Sequence, residues 1–434
     1  MIRRHPHAAA LAAALLSIAA PATAARAQSP SSVADRVASA RDGEVRLSYA
    51  ARAGACGNGR DVVGFGHALY VHNSIESWGR WSGVDCAAGG PVRVTLTRRG
   101  RAVEGLRVRV GGPGAATEGV TELGAVSARA AADYFLSLAG AAESGVAKEA
   151  VLAAALADSA DVAPVLLRIA RDTTRPSQVR RRAVQWVGEL GGAGVVRDLD
   201  ALASRAGDDR KVREAALAAL ANTDSDAAVQ ALVSHARNAS SSDDGEWMQK
   251  SAVFWLGQTG SPLARRTLRA IVDSAAAPER VRSAAIFAIG HGDDVTSDDI
   301  AFLKATYSRV DGKKLKDQIL MAVSQQSGGD GWLLERARDT KESVESRKQA
   351  IFWAGQGGAS VKSLADLYAA LDERELKEHV VFALSQRDES AATDQLITIA
   401  RHDPDPALRK RALFWLGQKN DPRAADLIRD MVMH

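Results

Sequence analysis

The sequence predicts a mostly α chain: an α-solenoid of about nine two-helix repeats, preceded by a small β-rich domain. Three observations predict it. The stretch SAVFWLGQTGSP (Ser251 to Pro262) returns as RALFWLGQKNDP (Arg411 to Pro422), so that Gly257 and Gly417 stand 160 residues apart. The small residue of the "LG" word recurs between and before these copies. Residues 28–127 stand outside the recurrence, with a pattern that alternates apolar and polar residues.

The first 27 residues read as a secretory signal peptide. Arg3 and Arg4 open it, Ala8 to Ala20 form an apolar run, and Ala25 to Ala27 give a small-x-small cleavage site. That run is far shorter than the ~20 residues a membrane span needs. The expectation is therefore an exported protein, periplasmic or extracellular, with no membrane span. Without Arg3, Arg4 and Arg26, 53 Lys and Arg face 52 Asp and Glu, a net charge of +1 over residues 28–434. Such a balance gives no electrostatic case for nucleic acid.

The period is set by a small anchor residue: Ala157, Gly188, Ala221, Gly257, Gly290, Ser324, Gly355, Ser385 and Gly417. The spacings are 31, 33, 36, 33, 34, 31, 30 and 32, and the longest contains the polar insertion Asn238 to Glu246. Each unit reads as a helix carrying the anchor, a turn rich in Asp, Gly or Ser-Pro, and a second amphipathic helix. Pro262 and Pro422 suit the first turn of that second helix. One such hairpin cannot bury its own apolar face, but a stack of them can.

The word V-R-x-x-A-x-x-x-L-G, as in VRRRAVQWVGELG and LRKRALFWLGQKN, followed by an Asp-containing turn and a second helix, resembles HEAT repeats of the phycobilisome-lyase type. The resemblance covers about Gly145 to His434. It implies a right-handed solenoid of HEAT-like repeats that works as a scaffold or binding surface for protein partners. The deoxyhypusine hydroxylase branch of that family binds iron through His-Glu pairs, and no His in this chain is followed by Glu.

Two columns inside the anchor helix are informative. Two before the anchor stand Ala155, Trp186, Ala219, Trp255, Ala288, Ala322, Trp353, Ala383 and Trp415. Large rings beside small neighbours are how stacked layers interdigitate, so the Trp set is expected in the core. One residue earlier the column is Ala154, Gln185, Ala218, then Phe254, Phe287, Met321, Phe352, Phe382 and Phe414. Layers ~8–10 Å apart would align those last six into a stripe roughly 40–50 Å long. The stripe is either a partner-binding surface or a face buried by superhelical curvature, and burial is the reading that five apolar residues in a row favour.

Two polar ladders run alongside. Gln258, Gln325, Gln356, Gln386 and Gln418 follow the anchor and are expected to satisfy carbonyls at the end of their own helices. Arg180, Arg213, Arg282, Lys316, Arg347, Lys377 and Arg409 precede it by eight and are expected to bridge layers.

In the N-terminal segment Glu44 to Arg52 alternates like a strand, and Val92 to Val110 reads as a hairpin turning at Arg99-Gly100. This domain, residues 28–127, is expected to carry one disulfide between Cys56 and Cys86. A metal site of those cysteines with His67 and His72 fits poorly, because zinc sites of this kind use closely spaced pairs. Residues 128–144 should form a linking and capping helix, and the repeats should fill 145–434. The last helix ends on Met431, Val432 and Met433, a face that a homodimer through the C-terminal repeat would use.

Nothing assembles into a nucleophile, base and oxyanion set, and no H-E-x-x-H, G-K-[ST] or G-x-S-x-G motif occurs. The sequence thus predicts a non-enzymatic scaffold without cofactor. The alternative is a small-ligand sensor in the β-rich domain, built from Tyr49, Arg52, Asp61, His67 and His72, with the solenoid as its docking platform.

Overall fold

The computed structural model describes residues 32–434, apart from 67, 72–73, 79–88, 113–117, 239–241, 293, 420 and 434. The expected signal peptide, Cys86, His67 and His72 lie outside the described residues, so the Cys56–Cys86 pairing stays an expectation.

The N-terminal domain holds α1 (Val33–Ser39), β1 (Gly43–Tyr49), β2 (Cys56–Gly57), β3 (Val62–Phe65), β4 (Ala68–Val71), β5 (Ser74–Trp78), β6 (Val92–Arg99), β7 (Ala102–Val110) and β8 (Thr121–Ala125). One sheet has the order β7-β6-β1-β8, with β1 antiparallel to β6 and parallel to β8; the other is a β2-β3-β4-β5 meander. The hairpin turns where the sequence says it should, at Gly100, whose φ of +59° a side chain would strain. Helix α1 was not expected: Ser32 and Asp35 form a capping box that starts it, and Val33 and Val37 are buried in the common core. Alternate residues Val45, Leu47 and Tyr49 of β1 and Val92, Val94 and Leu96 of β6 point into one core.

Ser127 caps α2 (Ala128–Ala141), which packs along the first repeat. Among the described residues nine helix pairs follow. They are α3 and α4 (Ser144–Ala155, Ala163–Arg171), α5 and α6 (Ser177–Gly191, Val196–Ala203), α7 and α8 (Arg210–Asn222, Asp226–Arg237), α9 and α10 (Asp243–Gly257, Pro262–Asp273), and α11 and α12 (Glu279–His291, Ser297–Tyr307). The array continues through α13 and α14 (Lys313–Ser324, Asp330–Arg338), α15 and α16 (Val344–Gln356, Val361–Ala370), α17 and α18 (Arg374–Ser385, Ser390–His402), and α19 and α20 (Pro406–Gln418, Pro422–Met433). The chain is an α-solenoid. Successive anchor helices pack along one another, whereas successive second helices touch sparsely. The layers therefore close on the anchor side and splay on the other, which puts the anchor row on the inside of the bend.

The junctions between anchor helices follow one rule. Where the anchor is Gly188, Gly257, Gly290 or Gly355, the residue facing it in the next layer is Ala219, Ala288, Ala322 or Ala383. A Cβ added to these glycines would lie 2.8, 2.8, 2.5 and 3.0 Å from the facing alanine Cβ, so only Gly permits the approach. Where the anchor is Ala157, Ala221, Ser324 or Ser385, the next layer carries Trp186, Trp255, Trp353 or Trp415 at that position. Each glycine junction is closer packed than any tryptophan junction, and the loosest joins α7 to α9.

The cation ladder bridges layers as expected. Arg180, 3% exposed, donates from Nε to Ala170 O at 2.9 Å and from its two Nη to the Asp208 carboxylate at 2.5–2.7 Å. Arg213 does the same with Ala203 O and Asp244, and Arg347 with Ala337 O and Glu373. Each guanidinium thus seals an open carbonyl at the end of the preceding unit's second helix and reaches into the following unit. The polar insertion is not simply loop: Ser242 caps α9, and Asp244 in its first turn is the partner of Arg213.

The first layer is sealed by the strand β1 and its continuation. Tyr49 donates from its hydroxyl to Ala153 O at 2.6 Å, Arg52 N to Leu156 O at 2.8 Å, and Asp158 N to Ala50 O at 3.0 Å. Arg52 adds Nε to Ala155 O at 3.0 Å and Nη2 to Ala160 O at 2.6 Å. The C-terminal carbonyls of α3 are thereby satisfied by the β domain, and the two parts share one core.

Two stability predictions come from these contacts. Gly290→Ala gains about 1 kcal/mol of helix propensity but overpacks against Ala322, for a net loss of about 1–2 kcal/mol. Adding Ala322→Gly should recover part of it, and a double-mutant cycle by urea unfolding should give at least ~0.5 kcal/mol of coupling. An additive pair would show that the junction is not tight. Arg180 hydrogen bonds hold the Asp208 carboxyl below its usual pKa. Arg180→Ala strands that carboxylate, itself only 3% exposed, and should cost about 3–5 kcal/mol. The pair's stabilisation is complete above the ordinary carboxylate range and is lost as pH falls through the depressed value. Asp208→Asn should therefore lessen the loss of stability as pH falls below the ordinary carboxylate range. An acid limb identical to wild type would contradict the assignment.

Candidate functional site

From α9 onward, the positions three before and one after the anchor of each anchor helix point away from the core. In α9 these are Phe254 and Gln258, and in α19 they are Phe414 and Gln418. The predicted stripe is therefore on the surface of the inner row. Phe254 is 39% exposed and Phe414 53% exposed, and Phe287, Met321, Phe352 and Phe382 are half-buried. The expectation that curvature buries this column is corrected. The layers close at the anchor and at the position two before it, and the neighbouring column stays outside the seam.

Rings connect along the stripe. Phe254 stacks on Phe287 across a junction with centroids 6.5 Å apart, and Phe287 stacks on His291 at 4.1 Å. Phe254, Phe352 and Phe414 each stand edge-on to the Trp that follows them, at 5.0–5.2 Å. Phe382 reaches Trp415 of the next layer at 5.2 Å. The Trp column is accordingly split. Trp186 is fully buried, as expected, whereas Trp255, Trp353 and Trp415 are half-buried at the edge of the seam.

Trp186 differs because the β domain covers it. Phe65, at the end of β3, packs on its indole with centroids 5.5 Å apart. The next residue, Gly66, has φ +54° and passes so close to the Glu189 carboxylate that a Cβ would collide with it. On α3 Glu149 is buried. Desolvation pushes its carboxyl pKa up, and the nearby Arg182 charge pulls it partly back. The strand-rich domain thus occupies the N-terminal end of the face whose remainder carries the stripe.

The charges that flank the stripe change along the array. Toward the C-terminus they pair across layers: Lys313 with Glu345 at 3.2 Å, Lys348 with Glu375 at 2.5 Å, and Arg411 with Glu378 at 3.2 Å. The hydrogen bond to Glu375 raises the Lys348 pKa and lowers that of Glu375. In the second and third layers Arg181, Lys211 and Glu214 make no ion pair among the described residues. They rim a cleft of about 300 Å³ whose floor is Ala218 and Ala219 and whose wall is Trp255.

The Gln ladder needs correction. Gln325, Gln356, Gln386 and Gln418 are exposed, and Gln386 donates to the Ser385 hydroxyl rather than to a helix carbonyl. The carbonyls are met from the next position along, in the following layer. Gln326 donates to Gly290 O at 3.3 Å, Arg387 to Gly355 O at 3.3 Å, and Lys419 to Ser385 O at 3.2 Å. At Gly292 and Gly357 the backbone itself closes on the preceding layer, where a Cβ would lie 2.5 Å from Gly257 O and 2.7 Å from Ser324 O. No single residue type marks that column, which is why the periodicity search passes over it.

Of the residues proposed for a pocket in the β domain, His67 and His72 lie outside the described residues, and the other three are engaged elsewhere. Tyr49 and Arg52 are spent on the joint to α3, and Asp61 accepts from Asn58 Nδ2 at 2.7 Å. Among the described residues no three His, Cys, Asp or Glu side chains are grouped to hold a metal ion, and no helix is long and apolar enough to cross a membrane.

No protein-family model matches the chain, and no curated protein sequence does. It is similar to several solved structures. Human deoxyhypusine hydroxylase, solved with glycerol, is 18% identical with a TM-score of 0.26, over 54% of this chain and 88% of that one. The complex of CpcE and CpcF of phycocyanin lyase from Nostoc sp. PCC7120 is 16% identical with a TM-score of 0.28, over 54% and 92%. Importin beta, crystallised in ammonium sulfate, is 14% identical with a TM-score of 0.33, over 66% and 46%.

Proposed function

We propose that this chain is an exported, non-enzymatic scaffold that captures a protein partner on its anchor-helix face. The observation that carries the reading is the stripe Phe254, Phe287, Met321, Phe352, Phe382 and Phe414, six apolar side chains in neighbouring layers of which none is buried. Large apolar side chains kept in register on a surface usually serve a partner, because leaving them in water costs free energy that burial would recover. Export is inferred from the pattern of residues 1–27. The near-neutral balance of residues 28–434 favours protein over nucleic acid as the partner. The alternative of a small-ligand sensor in the β domain is weakened by the use of Tyr49 and Arg52 as joint residues. A homodimer through α19 and α20 is a separate expectation, tested by sedimentation.

The test compares wild type with Phe254→Ser/Phe352→Ser/Phe414→Ser in affinity capture from envelope extract, followed by a binding titration with the captured protein. Each substitution removes an edge contact worth about 1 kcal/mol, so the triple variant should keep its helical circular dichroism. Affinity should fall at least tenfold, the size of effect that loss of a central aromatic anchor produces. Unchanged affinity in a folded variant would remove the stripe as the binding surface.

A further inference from the structure

We propose that the cleft floored by Ala218 and Ala219 and walled by Trp255 is a socket for one aromatic side chain of a partner, with a carboxylate beside it in the partner's sequence. The socket lies on the face read above as the protein-binding surface, and in that sense rests on that reading.

Each tryptophan of the array stands opposite the column that precedes the indole by one residue in the layer before. At Trp415 that position is Phe382, whose ring lies 5.2 Å away. At Trp353 it is Met321. At Trp186 it is Ala154, too small to cover an indole, and the β domain supplies the ring instead: Phe65, 5.5 Å from Trp186. At Trp255 it is Ala218, and here no ring among the described residues covers the indole from that side. The cleft opens at that place, between α7 and α9, the loosest of the junctions. The chain thus shows how an aromatic residue from outside the repeats docks on this column, and one layer pair further along it leaves the same seat open. Phe65 and the socket are neighbours on one face, so a partner segment seated there would extend an interface the molecule already makes with itself.

The rim selects the segment's chemistry. Arg181 and Lys211 line the cleft with Glu214, two cations to one anion, and none has an ion-pair partner among the described residues. Elsewhere on the face lysines and arginines are matched across layers by Glu345, Glu375 and Glu378. An aromatic residue flanked by Asp or Glu would bury its ring against Trp255 and pair its carboxylate with Arg181 or Lys211.

The experiment titrates the full chain with the blocked peptide Gly-Glu-Phe-Glu-Gly, followed by ligand-observed NMR. The comparison peptides replace Phe by Ala or both Glu by Gln. The acidic phenylalanine peptide should bind at least tenfold tighter than the alanine peptide and about three- to tenfold tighter than the glutamine one. Ala218→Phe puts into the socket the side chain that most later layers carry in that column. It should leave the melting temperature within a few degrees of wild type and abolish ring-dependent binding. If that variant folds poorly, Ala218→Leu fills the same space with less bulk. Arg181→Ala/Lys211→Ala should reduce the acidic peptide to the affinity of the glutamine one. Binding without preference for the ring, or unchanged when Ala218 is enlarged, would overturn the proposal. So would phenylacetate binding as tightly as the peptide, since the site would then serve a small aromatic acid. Loss of partner capture in the Phe→Ser variant together with failure of the peptide would sink the socket and leave the stripe standing. Peptide binding abolished by Ala218→Phe with capture unchanged would do the reverse.

Discussion

The fold rests on how closely two anchor helices can approach. At four junctions a glycine lets a helix backbone meet an alanine Cβ, and at the other four an alanine or serine makes room for an indole. The two solutions do not mix. A tryptophan opposite Gly290 would have no volume to enter, and an alanine opposite Ser324 would leave a void that costs roughly as much as a deleted core side chain. Because the second helices are spared this constraint, they splay, and the bend of the array follows from residues of one column on one row of helices.

The same constraint produces the functional face. A helix pressed against both neighbours through one seam must turn the adjacent column outward, and here that column is phenylalanine in most layers. Charged side chains flank it and pair between layers toward the C-terminus. Where the third layer carries Ala218 and Ala219 in succession, the seam is wide, an indole edge is uncovered, and Arg181 and Lys211 make no ion pair among the described residues. Packing and recognition are therefore set by neighbouring positions in one helix, and a change at one is felt at the other.

Much of this was legible in the sequence. The recurrence of the small anchor announces an array of two-helix units, and the alternation of Trp with Ala announces interdigitating layers. The Arg180 and Arg213 column was rightly read as bridging, because a cation at a fixed offset in a two-helix unit has carbonyls within reach. The exposure of the Phe column was not legible. Apolar identity alone cannot tell a seam from the strip beside it, since the two lie one residue apart and their separation depends on the crossing geometry of the helices. The capping of Gly290 O and Gly355 O by Gln326 and Arg387 escaped because function there is shared among Gln, Arg, Lys and Gly. The β domain's role was missed for a different reason. Tyr49, Arg52 and Phe65 act on residues about a hundred positions away, and no periodicity links them.

The arginine clasps have a consequence for how the array comes apart. Arg180 touches the first, second and third units at once, and Arg213 the second, third and fourth. In a linear chain of repeats treated as spins, such a side chain couples each site to its second neighbour, which raises the energy of a boundary between ordered and melted units and makes the block it spans melt as one. The clasp changes form in the middle, where the fourth and fifth units are tied instead by Arg280 with Glu246, Arg265 and Arg269 with Asp299, and Arg309 with Asp273. Gln249 reaches Ala236 O but carries no charge to send forward, and Arg282 reaches Val272 O without a carboxylate beyond it among the described residues. It resumes with Lys316 and Glu342. A pull on the two ends would accordingly take the molecule apart in blocks of several repeats rather than one repeat at a time, so that tension would shorten the binding face in large steps.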